Sequence, residues 1–318
     1  MTMELASIRV VRKPWGKTDL RPWSELGNDG TAIGELWFQR ADNQVPEPTL
    51  LLKLLFTDER LSIQVHPDDA FARSIGLPHG KTEAWYVLSA TPDAQIALGL
   101  KRSLTAPQLR AAITDGTIAE LVHWRDVRRN EAILVAAGTI HALGAGLVVA
   151  EIQQRSDATF RLFDYGRHRE LHLDGSVGAA TAGPSAAQIA PDRLSDARLV
   201  LSRSPYFVLE QVDFAPNSYW EVDADRETWL LLLEGEAKFD LLQVSSGEAV
   251  YLHGQRARIR AGARGVKGLM AYVASEPVAT LLQSRNGETR EATVGRVPEL
   301  AARRSVPEPL VNARGIRP

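Results

Sequence analysis

Short apolar runs closed off by turn formers recur along most of this chain, and only one stretch carries helical periodicity. That pattern restricts the fold to a mainly β architecture, a sandwich or jelly roll of many short strands. Residues 33–39 (IGELWFQ) and 50–56 (LLLKLLF) are such runs. In 60–66 (RLSIQVH), Leu61, Ile63 and Val65 fall on one face and Ser62, Gln64 and His66 on the other. Further strands are expected at 83–88, 95–98, 131–136, 146–154 and 158–163. A second series follows at 206–214, 218–222, 228–234, 237–242 and 249–252.

The helical exception spans about 104–129. Thr105 caps it with Pro107 in the first turn, and Leu109, Ile113, Ile118, Leu121 and Val122 follow at near-helical spacing. Asp115-Gly116 divides it in two, and 125–129 (RDVRR) reads as its solvated end. The expected organisation is a first β unit over 1–174, a linker or crossover over 175–198 rich in Ala and Gly, a second β unit over 199–283, and a polar tail over 284–318. No short-period repeat is present, although the chain accommodates two related β-barrels.

Composition removes several function classes. The chain has no cysteine, which excludes disulfides, thiolate zinc sites, Fe–S clusters and cysteine nucleophiles. With 37 Lys+Arg against 39 Asp+Glu the net charge is −2, so a chain-wide grip on nucleic acid or acidic lipid is not expected. No apolar run approaches the roughly 18 residues of a membrane span. The start, MTMELASIRVVRKPWG, has no signal-peptide pattern, and a cytoplasmic protein is expected. GxGxxG, P-loop and nucleophile-elbow motifs are missing, which leaves nucleotide binding unsupported.

One constellation carries chemistry. Gln64 and His66, at i and i+2, leave the same strand face; Glu83 opens a strand in GKTEAWYV, and His141 sits in the turn AAGTIHALGAG. Two imidazoles, a carboxylate and an amide oxygen make an N/O site for a divalent ion, with about +1 charge left to polarise a bound oxygen. Spacing alone leaves open whether these histidines are structural, and it does not name a metal.

LSIQVHPDD, GKTEAWYVL, AAGTIHALGAG and EIQQRSDATFRLFDYGR occur in this order, with KPWG and IGELWF before them and SPYFVLEQVDF after. Together they resemble the short bacterial form of the type I mannose-6-phosphate isomerases in the cupin superfamily, most strongly from Pro14 to Arg167. The resemblance implies two cupin-type jelly-roll or β-barrel units with a small helical insertion, and one Zn²⁺ per chain held by Gln64, His66, Glu83 and His141. It implies interconversion of mannose 6-phosphate and fructose 6-phosphate by proton transfer through a cis-enediol. The family's functional arginine falls on Arg161 and a lysine on Lys81, whose pKa the metal and burial would lower. Lys81, Arg161 and Arg167 are the candidates for the phosphate, and Trp15 for the pocket wall. Lys81 and Glu151 are candidate bases, and Asp157 is a candidate for assisting ring opening. Ala136-Ala137 stands where the family usually has a proline, and Lys17 where a second glycine is common.

Two other readings use the same residues. A cupin oxygenase would use His66, His141 and Glu83 as an iron triad with open positions. A non-catalytic sugar-binding cupin would keep the metal site and bind without turnover. The expected partner is a small phosphosugar. A monomer is expected, since no exposed apolar helix or heptad marks an interface.

Overall fold

The computed structural model describes residues 2–26, 30–41 and 47–286. The expected polar tail lies outside the described residues from 287 onward. In chain order the first strands are β1 (Thr2–Leu5), β2 (Ser7–Lys17), β3 (Ile33–Gln39), β4 (Leu50–Thr57), β5 (Ile63–Val65) and β6 (Glu83–Ala90). They continue with β7 (Gln95–Leu100), β8 (Val122–Asp126), β9 (Ala132–Val135), β10 (His141–Leu143), β11 (Leu147–Gln154) and β12 (Phe160–Phe163). The helices are α1 (Asp69–Ser74), α2 (Ala106–Asp115), α3 (Ile118–Leu121) and α4 (Leu173–Ala179).

Two antiparallel sheets are built from the first half of the chain. One has the order β2-β3-β4-β11-β6-β9 and the other β12-β5-β10-β7-β8. Their facing sides enclose an apolar layer of Trp15, Leu55, Trp85, Val87, Ile96, Leu98, Leu143 and Val149. On the outer side of the five-stranded sheet, Ile63, Val65, Ala142 and Leu162 pack with Leu109, Ile113 and Ile118 of α2 and α3. Within the strand the alternation in 60–66 does what its pattern predicts: Ile63 and Val65 face the helices, and Gln64 and His66 face the interior. Leu61, which precedes the strand, departs from the pattern and packs in the inner layer with Trp15 and Leu55.

The second half adds β13 (Asp192–Ser195), β14 (Arg198–Arg203), β15 (Val208–Phe214), β16 (Tyr219–Ala224) and β17 (Thr228–Phe239). It closes with β18 (Leu242–Ser245), β19 (Ala249–His253), β20 (Gln255–Tyr272) and β21 (Leu282–Ser284). These form one sheet, and β1 joins it by pairing with β19, Thr2 opposite His253. A shared core ties the halves together: Phe38, Leu52, Leu54, Tyr86 and Ile152 pack with Phe207, Leu209, Trp229, Leu231 and Tyr251. Glu227 reinforces this seam. Its carboxylate accepts from the Thr49 N–H at 2.7 Å, the Thr49 hydroxyl at 2.8 Å, the Leu50 N–H at 2.9 Å and the Trp229 indole at 3.0 Å.

The chain is mainly β with a small helical insertion between β7 and β8, as expected. Thr105 and Gln108 form a reciprocal capping box on α2, and Gly116, at φ 82°, closes it in the left-handed region. The helical reading extends too far, however. Val122–Asp126 is strand β8, paired with β7, so Arg125 is no part of a helix end. Part of the Ala/Gly-rich segment expected as a linker forms α4, where a side chain on Gly175 or Gly178 would strike the rings of Phe160 and Phe71. Small residues there reflect close packing. Expected strands 228–234 and 237–242 are largely one strand, β17, which bends through register shifts near Gly235.

Candidate metal centre and active site

The five-stranded and six-stranded sheets each contribute to one buried cluster. Across the five-stranded sheet, His141 on β10 stands directly opposite Gln64 on β5, and Gln64 directly opposite Arg161 on β12. Directly opposed residues share a sheet face, so this row projects into the interior. His66 follows β5 two residues after Gln64 and joins them. Glu83 comes from the other sheet, at the start of β6.

His66, Glu83 and His141 offer ligand atoms that all lie within 4.8 Å of one another. Each residue is 1% exposed. His66 Nε2 is 3.4 Å from one oxygen of Glu83, and His141 Nε2 is 3.3 Å from the other. His66 Nδ1 lies 2.8 Å from the carbonyl of Ala158 and His141 Nδ1 2.8 Å from that of Thr139. A carbonyl only accepts, so both Nδ1 atoms carry the proton and both Nε2 atoms turn a lone pair toward Glu83. Three acceptors converging in a dry interior repel one another unless a cation lies among them, and N/O donors of this kind suit a divalent ion. The side-chain amide of Gln64 lies 3.3 Å from His141 Nε2. Turning its oxygen inward would add a fourth ligand, and the Ser62 hydroxyl, 3.3 Å from the amide, can donate or accept.

Close backbone packing fixes the segment that bears Lys81 and Glu83. A Cβ on Gly80 would come within 2.6 Å of the Pro67 carbonyl oxygen, so only glycine lets this turn close on the one after His66. The Lys81 N–H donates to the Pro67 carbonyl at 2.9 Å, and the Gly80 N–H to Asp69 Oδ1 at 2.8 Å. Lys81 Nζ then lies 3.0 Å from Glu83 and 3.1 Å from His66 Nε2.

A polar ladder continues from this cluster along the inner face of the six-stranded sheet. Glu151 on β11 is opposite Trp85 on β6 and Lys53 on β4, and Lys53 is opposite Trp37 on β3. The Trp85 indole donates to Glu151 at 3.1 Å. Lys53 Nζ lies 3.4 Å from Glu151, 3.6 Å from Glu35 and 4.5 Å from the centre of the Trp37 ring. Lys53 and Glu35 carry no role in the sequence reading. The signal that could have found Lys53 is a single charge in the middle of the run LLLKLLF, every residue of which is buried.

Electrostatics separate these groups. Burial, then the charge of Lys81, pushes the His66 imidazole down to about 3; burial likewise lowers His141. Burial works against the Glu83 carboxylate, but Lys81 and His66 outweigh it and hold Glu83 well below the usual carboxylate range. Burial also works against Lys81, yet Glu83 and Glu151 hold its pKa up. In the metal-free site, then, two buried carboxylates outweigh the lowering that burial alone would give Lys81. Burial and the charge of Glu83 push Glu151 upward.

The other expected site residues are more dispersed. Arg161 is half-buried, with one guanidinium nitrogen donating to the Glu170 carbonyl at 2.7 Å. Arg167 is engaged by Asp164 at 3.0 Å, Glu59 at 3.2 Å and the Arg60 carbonyl at 2.8 Å. Asp157 is exposed on the connection between β11 and β12. Trp15 is 3% exposed and packs in the apolar layer with Leu55 and Trp85. The aromatic ring against the cluster is Trp85, edge-on to His141 at 5.5 Å.

No protein-family model matches the chain. It is 38% identical over 169 residues to a mannose-6-phosphate isomerase of Streptococcus mutans, covering 50% of this chain and 53% of the relative. It is 40% identical over 162 residues to the mannose-6-phosphate isomerase ManA of Bacillus subtilis, covering 46% and 50%. The chain thus spans about half the length of the curated relatives it matches. Among solved structures, a mannose 6-phosphate isomerase from Bacillus subtilis superposes with a TM-score of 0.73 at 25% identity, over 86% of this chain and 99% of the other. A phosphomannose isomerase variant from Salmonella typhimurium reaches 0.67 at 17% identity, over 86% and 100%, a likeness of fold. In sequence over half its length, and in fold over most of it, the chain resembles the type I mannose-6-phosphate isomerases.

Proposed function

We propose that this protein is a zinc-dependent isomerase that interconverts mannose 6-phosphate and fructose 6-phosphate through a cis-enediol. The observation that carries the reading is the meeting of His66 Nε2, His141 Nε2 and the Glu83 carboxylate beside Lys81, which stays charged, and Glu151, whose carboxyl is pushed up. The relatives named for this reaction support it. A Zn²⁺ ion held by His66, Glu83, His141 and Gln64 would supply Lewis-acid stabilisation of developing negative charge on the sugar oxygens.

The remaining work falls to the chain's own groups. Glu151, with its pKa raised by burial and by Glu83, is suited to carry the proton between C2 and C1, since a base works best with a pKa near the operating pH. Lys81 stays charged and balances negative charge as the enediolate forms. Lys53 holds the Glu151 carboxylate in place. Arg161, always protonated, faces the interior beside Gln64 and is the proposed clamp for the substrate's phosphate. Arg167 has a supporting part here, fixing Asp164 and the turn after β12. Asp157, on the rim, is placed to assist ring opening.

The same reading assigns the site to the unit over 1–174, with a crossover over 175–198 and a second β unit over 199–283, and expects a cytoplasmic monomer. No helix among the described residues is long and apolar enough to cross a membrane. The oxygenase alternative is disfavoured by Gln64, a fourth donor beside the His66–Glu83–His141 triad, and by the cationic Lys81 and Arg161, since an oxygenase needs open positions and no phosphate clamp.

The test is a coupled assay with mannose 6-phosphate before chelation, after it, and after Zn²⁺ is restored. Turnover that disappears and returns supports the reading. Folded protein that turns over with no divalent metal present, or that shows no turnover with any divalent metal, sinks it.

A further inference from the structure

Buried polar atoms without a hydrogen-bond partner are rare in native proteins and each calls for an explanation. Nine such side-chain atoms occur among the described residues, and five belong to Glu83, Glu151, Gln153 and Arg161. Three of these residues already have parts in the proposed chemistry. Gln153 does not.

Gln153 sits on β11 directly opposite the metal-site residue Glu83 on β6, and so on the same inner sheet face. Its accessibility is 0%. Its Nε2 donates to two backbone carbonyls, those of Gln154 and Ser156, each at 2.9 Å. Carbonyls only accept, so these two bonds fix which end of the amide is nitrogen. Oε1 is therefore a true acceptor, and it has no hydrogen-bond partner among the described residues. The brace to its own strand end also removes the rotamer freedom that a long side chain would otherwise lose on binding.

We propose that Gln153 Oε1 accepts a hydrogen bond from an O–H group bound at the metal centre, and that Gln153 thereby positions the ligand. The inference rests on the phosphosugar isomerase reading for one of the two sources of that O–H, a substrate hydroxyl. The other source, water held by the metal, needs no substrate. An acceptor beside Glu83 selects for a hydroxyl and rejects a group that cannot donate.

The test compares Gln153→Met with Gln153→Glu in the full chain. Both lose the amide donors that brace the strand end, but only Gln153→Glu keeps an acceptor on the inner face. Each variant is titrated with Co²⁺ alone, read by its visible absorption band, and then assayed with mannose 6-phosphate. A weaker or shifted Co²⁺ band in Gln153→Met but not in Gln153→Glu assigns the acceptor to metal-bound water. An unchanged band with a KM raised about tenfold in Gln153→Met, and held within about threefold in Gln153→Glu, assigns it to a sugar hydroxyl. Equal losses in the two variants would mean that Gln153 only braces the backbone, and no change in either arm would also overturn the proposal. Wild-type protein without turnover would sink the isomerase reading separately, while the Co²⁺ arm still decides on Gln153.

Discussion

Lys53 and Glu151 face each other directly across neighbouring strands in a dry sheet interior, with their charged ends 3.4 Å apart. Lys53 also lies 3.6 Å from Glu35, so one ammonium balances two buried carboxylates. Removing it leaves Glu151 without its ion-pair partner and Glu35 with Lys13, at 3.5 Å. Lys53→Met is expected to destabilise the protein by about 3–5 kcal/mol and to push the Glu151 pKa further up. Glu151→Gln keeps the shape and is expected to lower kcat by about 10²–10⁴ with little change in KM. The double variant should recover part of the stability lost in Lys53→Met but none of the activity. Urea unfolding together with steady-state kinetics on the three variants checks this; additive stabilities would show that the two residues do not couple.

A site made of lone pairs and a carboxylate gains stability when a cation fills it. At a concentration about 1,000 times its Kd, Zn²⁺ should stabilise the folded protein by roughly 4 kcal/mol. Chelation should reverse the gain. Glu83→Gln removes the only anionic member of the His66–Glu83–His141 cluster and should abolish most of the metal-dependent rise in melting temperature. Thermal scans with and without added metal decide the matter, and a full rise in Glu83→Gln would place the metal elsewhere.

Part of this centre can be read from the chain alone because it is local. Gln64 and His66 share a strand, and period-2 alternation puts them on one face with Ile63 and Val65 on the other, as the five-stranded sheet confirms. Glu83 and His141 come from other strands, and only sheet register brings them together. Lys53 shows where local reading stops. A charge inside an apolar strand looks like a break in the pattern until Glu151 and Glu35 are found facing it. Strand β20, 18 residues long, goes unread because Gly262, Gly265 and Gly268 interrupt it and its first half, where Arg256, Arg258 and Arg260 alternate with Ala257, Ile259 and Ala261, offers one large apolar side chain. Its partners β15, β16 and β17 supply the stability that its own composition does not. Val122–Asp126 follows helix-like spacing into a strand because pairing with β7 overrides local periodicity.

Stability of the metal-free protein should depend on pH in a defined direction. Burial depresses His66 from its ordinary 6.5 to about 3, and lowers His141 as well. Between those values the unfolded chain binds more protons than the folded one, so stability falls as pH falls. The contribution is fully present above about pH 6.5 and is lost progressively toward pH 3, with a slope of up to about 1.4 kcal/mol per pH unit for each imidazole. The depressed carboxyl of Glu83 acts in the same sense below its ordinary 4.5, whereas the raised carboxyl of Glu151 opposes it. Urea midpoints of chelated protein from pH 7.5 to 5 should therefore decline, and His66→Gln should flatten the decline. A midpoint that rose on acidification would contradict the neutral, buried imidazoles.

Glu227 offers a test of how the ten-stranded sheet bears on the six-stranded one. It belongs to the segment leading into β17, yet its carboxylate accepts two backbone N–H groups and a hydroxyl from Thr49 and Leu50, where β4 begins. Strand β4 carries Lys53, three residues further on. Glu227→Ala would leave the buried Leu50 N–H without a partner, at a cost of about 1–3 kcal/mol for that group and more once the Trp229 indole is counted. Glu227→Gln keeps an acceptor oxygen but must turn its NH₂ toward donors, so a smaller loss is expected. If β4 is held only by its sheet neighbours, amide exchange at Leu51–Lys53 will match wild type in both variants. If Glu227 pins the strand, exchange there will quicken in Glu227→Ala before the rest of the six-stranded sheet opens, and kcat will fall with it, because the shift displaces the ammonium that faces Glu151.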